Sequence, residues 1–121
     1  MPKTRQQGAG WEQVAESFLL TRGMKTLQRN FQVRSGEIDL VMLDDEILVF
    51  IEVRYRGNSR HGSGAESVTW TKQKRIISAA RHYLQRHDRH QFRSCRFDVV
   101  SIGTEQGETV LDWIRNAFDT S

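Results

Sequence analysis

Apolar residues recur at helical spacing through Trp11, Val14, Ala15, Phe18 and Leu19 and stop at Gly23, which predicts a first helix ending at a glycine. The polar residues 1–9 before it read as a flexible tail, leaving 10–121 as a single domain. Residues 24–33 have mixed character and predict a weak first strand. The runs GEIDLVML and EILVFIEVRY are rich in β-branched residues and flank Asp44-Asp45, which predicts an antiparallel hairpin. Residues 57–67 are rich in Gly and Ser and predict a mobile loop. Ile76, Ile77, Ala80, Tyr83 and Leu84 mark the apolar face of a second helix, with Thr69 or Thr71 as its cap. Arg96–Ile102 predicts a fourth strand, and Val110–Ile114 a short segment beside it. A helix between strands three and four is long enough for a crossover that makes them parallel. The expected fold is therefore α/β, a mixed central sheet flanked by helices in αβββαβ order.

The third strand is apolar on both faces, as a central strand covered on both sides must be. Within it Glu52 shares a face with Leu48 and Phe50, and on strand two Asp39 shares one with Val41 and Leu43. A buried carboxylate costs several kcal/mol unless a cation, a metal or strong donors stand beside it, on the order of the penalty for any unpaired buried charge. Whether the two acids meet depends on register. A two-residue turn at 44–45 or a four-residue loop over 44–47 puts them on one face, and a three-residue loop separates them. In the favourable registers Arg54 and Arg56 join them by alternation. Two carboxylates followed by a cation form the layout of a site that holds Mg²⁺, with Mn²⁺ as substitute, for phosphodiester hydrolysis. The competing reading is a structural ion pair between Glu52 and an arginine.

Charge is distributed in blocks. Residues 37–53 carry 6 acids and no base, whereas residues 54–96 carry 11 bases and 2 acids. The bland explanation is a solvated surface. The functional one is a basic footprint for nucleic acid, DNA foremost, around a small acidic centre. Lys72 and Gln73, with Lys74 and Arg75 behind them, begin the second helix, where a helix N-terminus and a lysine favour phosphate. Glu12 opens the first helix, where an acid is ordinarily explained by the helix dipole. Asp98 calls for an arginine partner. The histidines read as solvent-facing, and Trp70 and Trp113 as core or hinge anchors. The longest apolar run, Ile47–Ile51, is too short to span a bilayer, so no membrane partner is expected. The lone Cys95 and the absence of an apolar leader point to the cytoplasm. Monomer and homodimer both remain open.

The stretches Gly10-Trp11-Glu12, SGEIDLVM, VFIEVRYR, AESVTWTKQKR, ARHYL and RFDVV, in this order, resemble the small bacterial YraN-like family. That family is similar to the PD-(D/E)xK, or restriction-endonuclease-like, nucleases and to archaeal Holliday-junction resolvases. The resemblance implies a metal-dependent endonuclease acting on structured DNA, with a role in DNA repair. It assigns Glu12 as the helix-one acid, Asp39 as the motif aspartate and Glu52 as the acid of (D/E)xK. Asp39 and Glu52 would be the metal ligands. Arg54 stands where the motif has lysine. Arginine stays protonated, so it can orient a phosphate or neutralise charge but cannot take a proton, and Lys72 is a substitute from the second helix. Two other readings stand beside this one: a nuclease-like module that binds nucleic acid without cutting it, and a double-stranded-RNA-binding module over residues 11–87.

Overall fold

The computed structural model describes residues 5–57 and 68–120. Helix α1 (Arg5–Thr21) leads into strands β1 (Lys25–Val33), β2 (Gly36–Asp44) and β3 (Ile47–Gly57). Helix α2 (Trp70–Arg86) follows, then a single 3-10 turn at Asp88–His90, and finally β4 (Cys95–Glu105) and β5 (Glu108–Phe118). The expected αβββαβ order is present, with β5 as one further edge strand. The loop expected at 57–67, apart from Gly57, lies outside the described residues, as does His61 within it. So do residues 1–4 of the expected tail, whereas residues 5–9 are helical.

The five strands lie in the order β1-β2-β3-β4-β5. Neighbours are antiparallel except β3 and β4, which run parallel because α2 carries the chain back between them. The two helices are associated with two apolar layers. Ala15 and Leu19 of α1 pack with Leu40, Met42, Val49, Ile51, Val100 and Ile102. Ile76, Ala79, Ala80 and Tyr83 of α2 pack with Val41, Leu48, Phe50, Phe97 and Val99. Strand β3 contributes alternate residues to both layers, which explains its unbroken apolar run.

Each boundary has a local cause. Gly23 ends α1 with φ +88°, and its N–H donates to Leu20 O at 3.1 Å. Thr69 is the α2 cap, its Oγ1 accepting from Lys72 N at 3.1 Å. The β2–β3 turn falls at Asp45-Glu46, with Asp44 paired to Ile47 and Leu43 to Leu48. This is the register of the four-residue loop, narrowed by one further pair. Asp45 takes φ +53°, a conformation that aspartate tolerates better than most residues.

Three sequence expectations change. The helix begins at Arg5, so Glu12 lies well inside α1, and the first turn holds no acid. The helix dipole therefore does not explain Glu12. His90 is buried rather than solvent-facing: its Nδ1 accepts from Arg93 Nε at 2.9 Å and its ring lies near Tyr83. Trp70 is no core anchor, being 69% exposed. Amphipathic periodicity locates none of these: it does not mark the start of a helix in a polar stretch, and the burial of His90 and exposure of Trp70 depend on what neighbouring elements cover.

Candidate functional site

The β2–β3 register pairs Leu40 with Ile51, and one step further brings Asp39 opposite Glu52. The two carboxyls are therefore neighbours on one face of the sheet, close enough for the Glu52 charge to act on Asp39. The Val53 N–H donates to Asp39 Oδ2 at 2.8 Å and pins that carboxyl against β3. Desolvation pushes the Asp39 pKa well above the ordinary aspartate value, and the neighbouring charges of Glu52 and Glu12 push it further; the Val53 hydrogen bond opposes them. Glu12, from the middle of α1, thus belongs to the same electrostatic cluster. The three acids come from α1, β2 and β3, elements that meet only in the folded chain.

Glu52 is buried, with 4% of its surface exposed, and its Oε2 lies 2.6 Å from Lys72 Nζ. Lys72 reaches it from the first turn of α2, directly after the Thr69 cap. The parallel crossover sets α2's N-terminus at the carboxyl end of β3, which is why a residue twenty positions later meets Glu52. Glu52, Val53, Arg54, Tyr55 and Lys72 line an open cleft of about 230 Å³. Arg54 is half-buried there and makes no ion pair among the described residues.

The remaining sequence candidates divide. Arg56 is turned to β4 and β5, with Nη1 3.9 Å from Glu105 and Nη2 3.5 Å from Asp112, so its guanidinium is engaged away from Glu52. Gln73 folds back, its Nε2 donating to Val68 O at 3.0 Å. Lys74 lies with its ammonium 3.8 Å from the centre of the Trp70 ring. Arg75 is exposed on the same helix. Asp98 is wholly buried and paired with Arg96 at 3.0 Å, and it also accepts from Trp113 Nε1 at 2.9 Å and Asn116 N at 2.9 Å. Its structural role is complete without a ligand.

One acid escaped the sequence reading. Glu16, one turn beyond Glu12, is buried and accepts from Thr26 Oγ1 at 2.6 Å and Arg29 Nε at 2.9 Å. Arg29 holds its pKa below the ordinary glutamate range. Glu16 therefore ties α1 to β1 and fixes the helix that carries Glu12. The i, i+4 spacing of the two acids was the available signal.

Among the described residues, no group of three or more His, Cys, Asp or Glu side chains is closed enough to hold a metal by itself. The donor chemistry nevertheless suits a hard cation. Asp39 and Glu52 offer carboxylate oxygens on adjacent strands, and the charge of Glu12 is felt at Asp39.

A model of the uncharacterised protein family UPF0102 matches residues 11–102. A UPF0102 protein of Nitrosococcus oceani is 51% identical over 114 residues, covering 94% of this chain and 92% of its own. One from Aeromonas hydrophila is 46% identical, over 97% and 88% of the respective chains. One from Nitrosomonas europaea is 45% identical over the whole of both. Among solved structures, Pyrococcus furiosus SfsA in complex with Ca²⁺ aligns with 93% of this chain and 64% of its own, at 14% identity and a TM-score of 0.37.

Proposed function

The chain belongs to the uncharacterised protein family UPF0102, the YraN-like family, and we propose for its site the metal-dependent hydrolysis of phosphodiester bonds in structured DNA. The observation that carries this reading is the register that sets Asp39 opposite Glu52 on one face of the sheet, where desolvation raises the Asp39 pKa. Like charges held together in a desolvated place cost stability, and a fold that keeps them is arranged to receive a cation. Asp39 and Glu52 would hold Mg²⁺, which on binding supplies Lewis-acid polarisation of the phosphate and a more acidic water.

The chain's own groups divide the remaining work. The Val53 N–H fixes one oxygen of Asp39 and so sets the direction of the other. Lys72 keeps Glu52 oriented and brings an ammonium, with protons to donate, to the carboxylate edge. In this reading Lys72 takes the part of the lysine in the (D/E)xK pattern, from α2 rather than from β3. Arg54, two residues after Glu52 and free of ion pairs among the described residues, binds a phosphate oxygen and neutralises developing charge. The cytoplasm is the proposed place of action.

One alternative has a specific observation in its favour. Lys72 already neutralises Glu52, and a site satisfied in this way fits a module that binds nucleic acid without cutting it. The double-stranded-RNA-binding reading has no such support, because β4 and β5 are integral to the sheet. A cleavage assay with Mg²⁺ or Mn²⁺ on branched DNA, alongside a binding assay, separates the first two. Asp39→Ala and Glu52→Ala should abolish cleavage, Lys72→Met should lower it by on the order of 10²-fold or more, and Arg54→Lys should retain it. Cleavage unchanged in Glu52→Ala overturns the nuclease reading. Binding without cleavage in the wild type, undiminished in both alanine variants, favours the module.

A further inference from the structure

Trp70 stands at the first position of α2 with 69% of its surface exposed. Tryptophan is on average one of the more buried residues, so this exposure on an ordered helix calls for a use. Trp70, Lys74 and Ile77 follow one another at i, i+4 and i+7, and therefore share a face of α2. That face borders a cleft of about 480 Å³ that Gln73 and, from the end of β5 and just beyond it, Phe118 and Asp119 also line. Lys72, offset around the helix, is directed instead at Glu52. The cleft and the carboxyl pair thus lie on either side of a single helical turn.

We propose that this cleft is a subsite for an unpaired nucleobase, stacked against Trp70, of a strand that crosses the Asp39–Glu52 site. The inference rests on the nucleic-acid reading above and narrows its substrate to DNA with single-stranded or extruded nucleotides. The chemistry on the two walls selects this occupant. An indole face stacks on any base, and the volume lies in the range of small-molecule pockets. The Lys74 ammonium and the Asp119 carboxylate both line the cleft, so their charges offset and the cleft does not draw a phosphate into itself. Beside the cleft, Arg75 is exposed on α2 and the first turn of the helix carries no acid, so a flanking phosphate meets a cation. The Lys74 ammonium, 3.8 Å over one face of the Trp70 ring, holds the indole in place, and a base stacks on the opposite face. A base inside an intact duplex is already stacked and cannot enter.

Titration of the protein with a blunt duplex, and with the same duplex bearing a single-stranded oligothymidine tail, tests the assignment by tryptophan fluorescence and by anisotropy. The wild type should bind the tailed duplex more tightly, with quenching. Trp70→Ala should lose on the order of tenfold in affinity for the tailed duplex, with little change for the blunt one. Trp70→Phe should retain most of the affinity but lose the quenching, and it controls for folding because a ring remains. Equal binding of both duplexes by the wild type, or equal affinity of wild type and Trp70→Ala for the tail, overturns the subsite and leaves nucleic-acid binding standing. No binding to either duplex overturns both. A dimer in sedimentation that becomes monomer in Trp70→Ala assigns the face to a second copy and overturns the proposal.

Discussion

At the residue scale, the setting of Asp39 opposite Glu52 makes a prediction about pH. Asp39 has its folded pKa raised by desolvation, and then by Glu52 and Glu12. A carboxyl raised in this way favours the folded state while protonated, and that contribution is lost as pH rises through its folded pKa. Asp39→Asn keeps an acceptor for the Val53 N–H and removes the charge. The variant should therefore melt higher than the wild type at pH 8, and the difference should shrink as the pH falls toward the ordinary aspartate range. Each kcal/mol relieved corresponds to roughly 2–8 °C in a domain of this size. Millimolar Mg²⁺ or Mn²⁺ should raise the wild-type Tm and leave Asp39→Asn unmoved, since only a ligand of the folded state stabilises it. Melting curves across pH, with and without metal, decide the matter; a variant that gains nothing at pH 8 removes the repulsion from the account.

At the element scale, the site depends on where α2 begins and how it is seated. The helix backbone approaches β2 at Gly36, where an added Cβ would lie 1.9 Å from Arg75 O. No side-chain rearrangement relieves a clash with a carbonyl, so α2 must move. Gly36→Ala should cost at least the roughly 1–3 kcal/mol typical of overpacking, read from urea unfolding. It should also weaken cleavage, because displacing α2 carries Lys72 away from Glu52. Gly10→Ala is the matched control: it lies within α1 with nothing within 4 Å of its Cβ and should be neutral or stabilising by about 0.5–1 kcal/mol. Equal stability of the two variants shows that the close approach at Gly36 is not what seats the helix. Glu16 does the corresponding work for α1, fixing it to β1 through Thr26 and Arg29.

At the scale of the whole molecule, the candidate chemistry gathers at one end of the sheet, where β3 finishes and α2 starts. Among the described residues, the cations on that side without an ion pair are Arg54 and Arg75, with Lys74 over Trp70. If these contact phosphates, the logarithm of affinity should fall with the logarithm of salt concentration at a slope of about −3, near −0.9 for each phosphate neutralised. Binding constants for a branched DNA at several salt concentrations give this slope directly, and a flat response removes the phosphate contacts. Arg54→Gln should make it shallower by about one. Arg56→Gln should leave it nearly unchanged, because Glu105 and Asp112 already engage that guanidinium.

Much of this was legible in the order of residues. The alternation of Leu48, Phe50 and Glu52 against Val49 and Ile51 is a backbone periodicity, and it identified β3 as central with an acid on a covered face. Gly23, Thr69 and the Asp-rich turn acted locally, within a few residues of the boundaries they set. The register options narrowed the face of Asp39 to two outcomes but could not choose between them, because turn length follows from φ at Asp45 and from the pairing of whole strands. Lys72 on Glu52, Arg56 on Glu105 and Asp112, the burial of His90 and the exposure of Trp70 came only with the tertiary structure. Each depends on the packing of elements distant in sequence. Local pattern determines which face a side chain occupies; the neighbour waiting on that face is decided by how the helices cross the sheet.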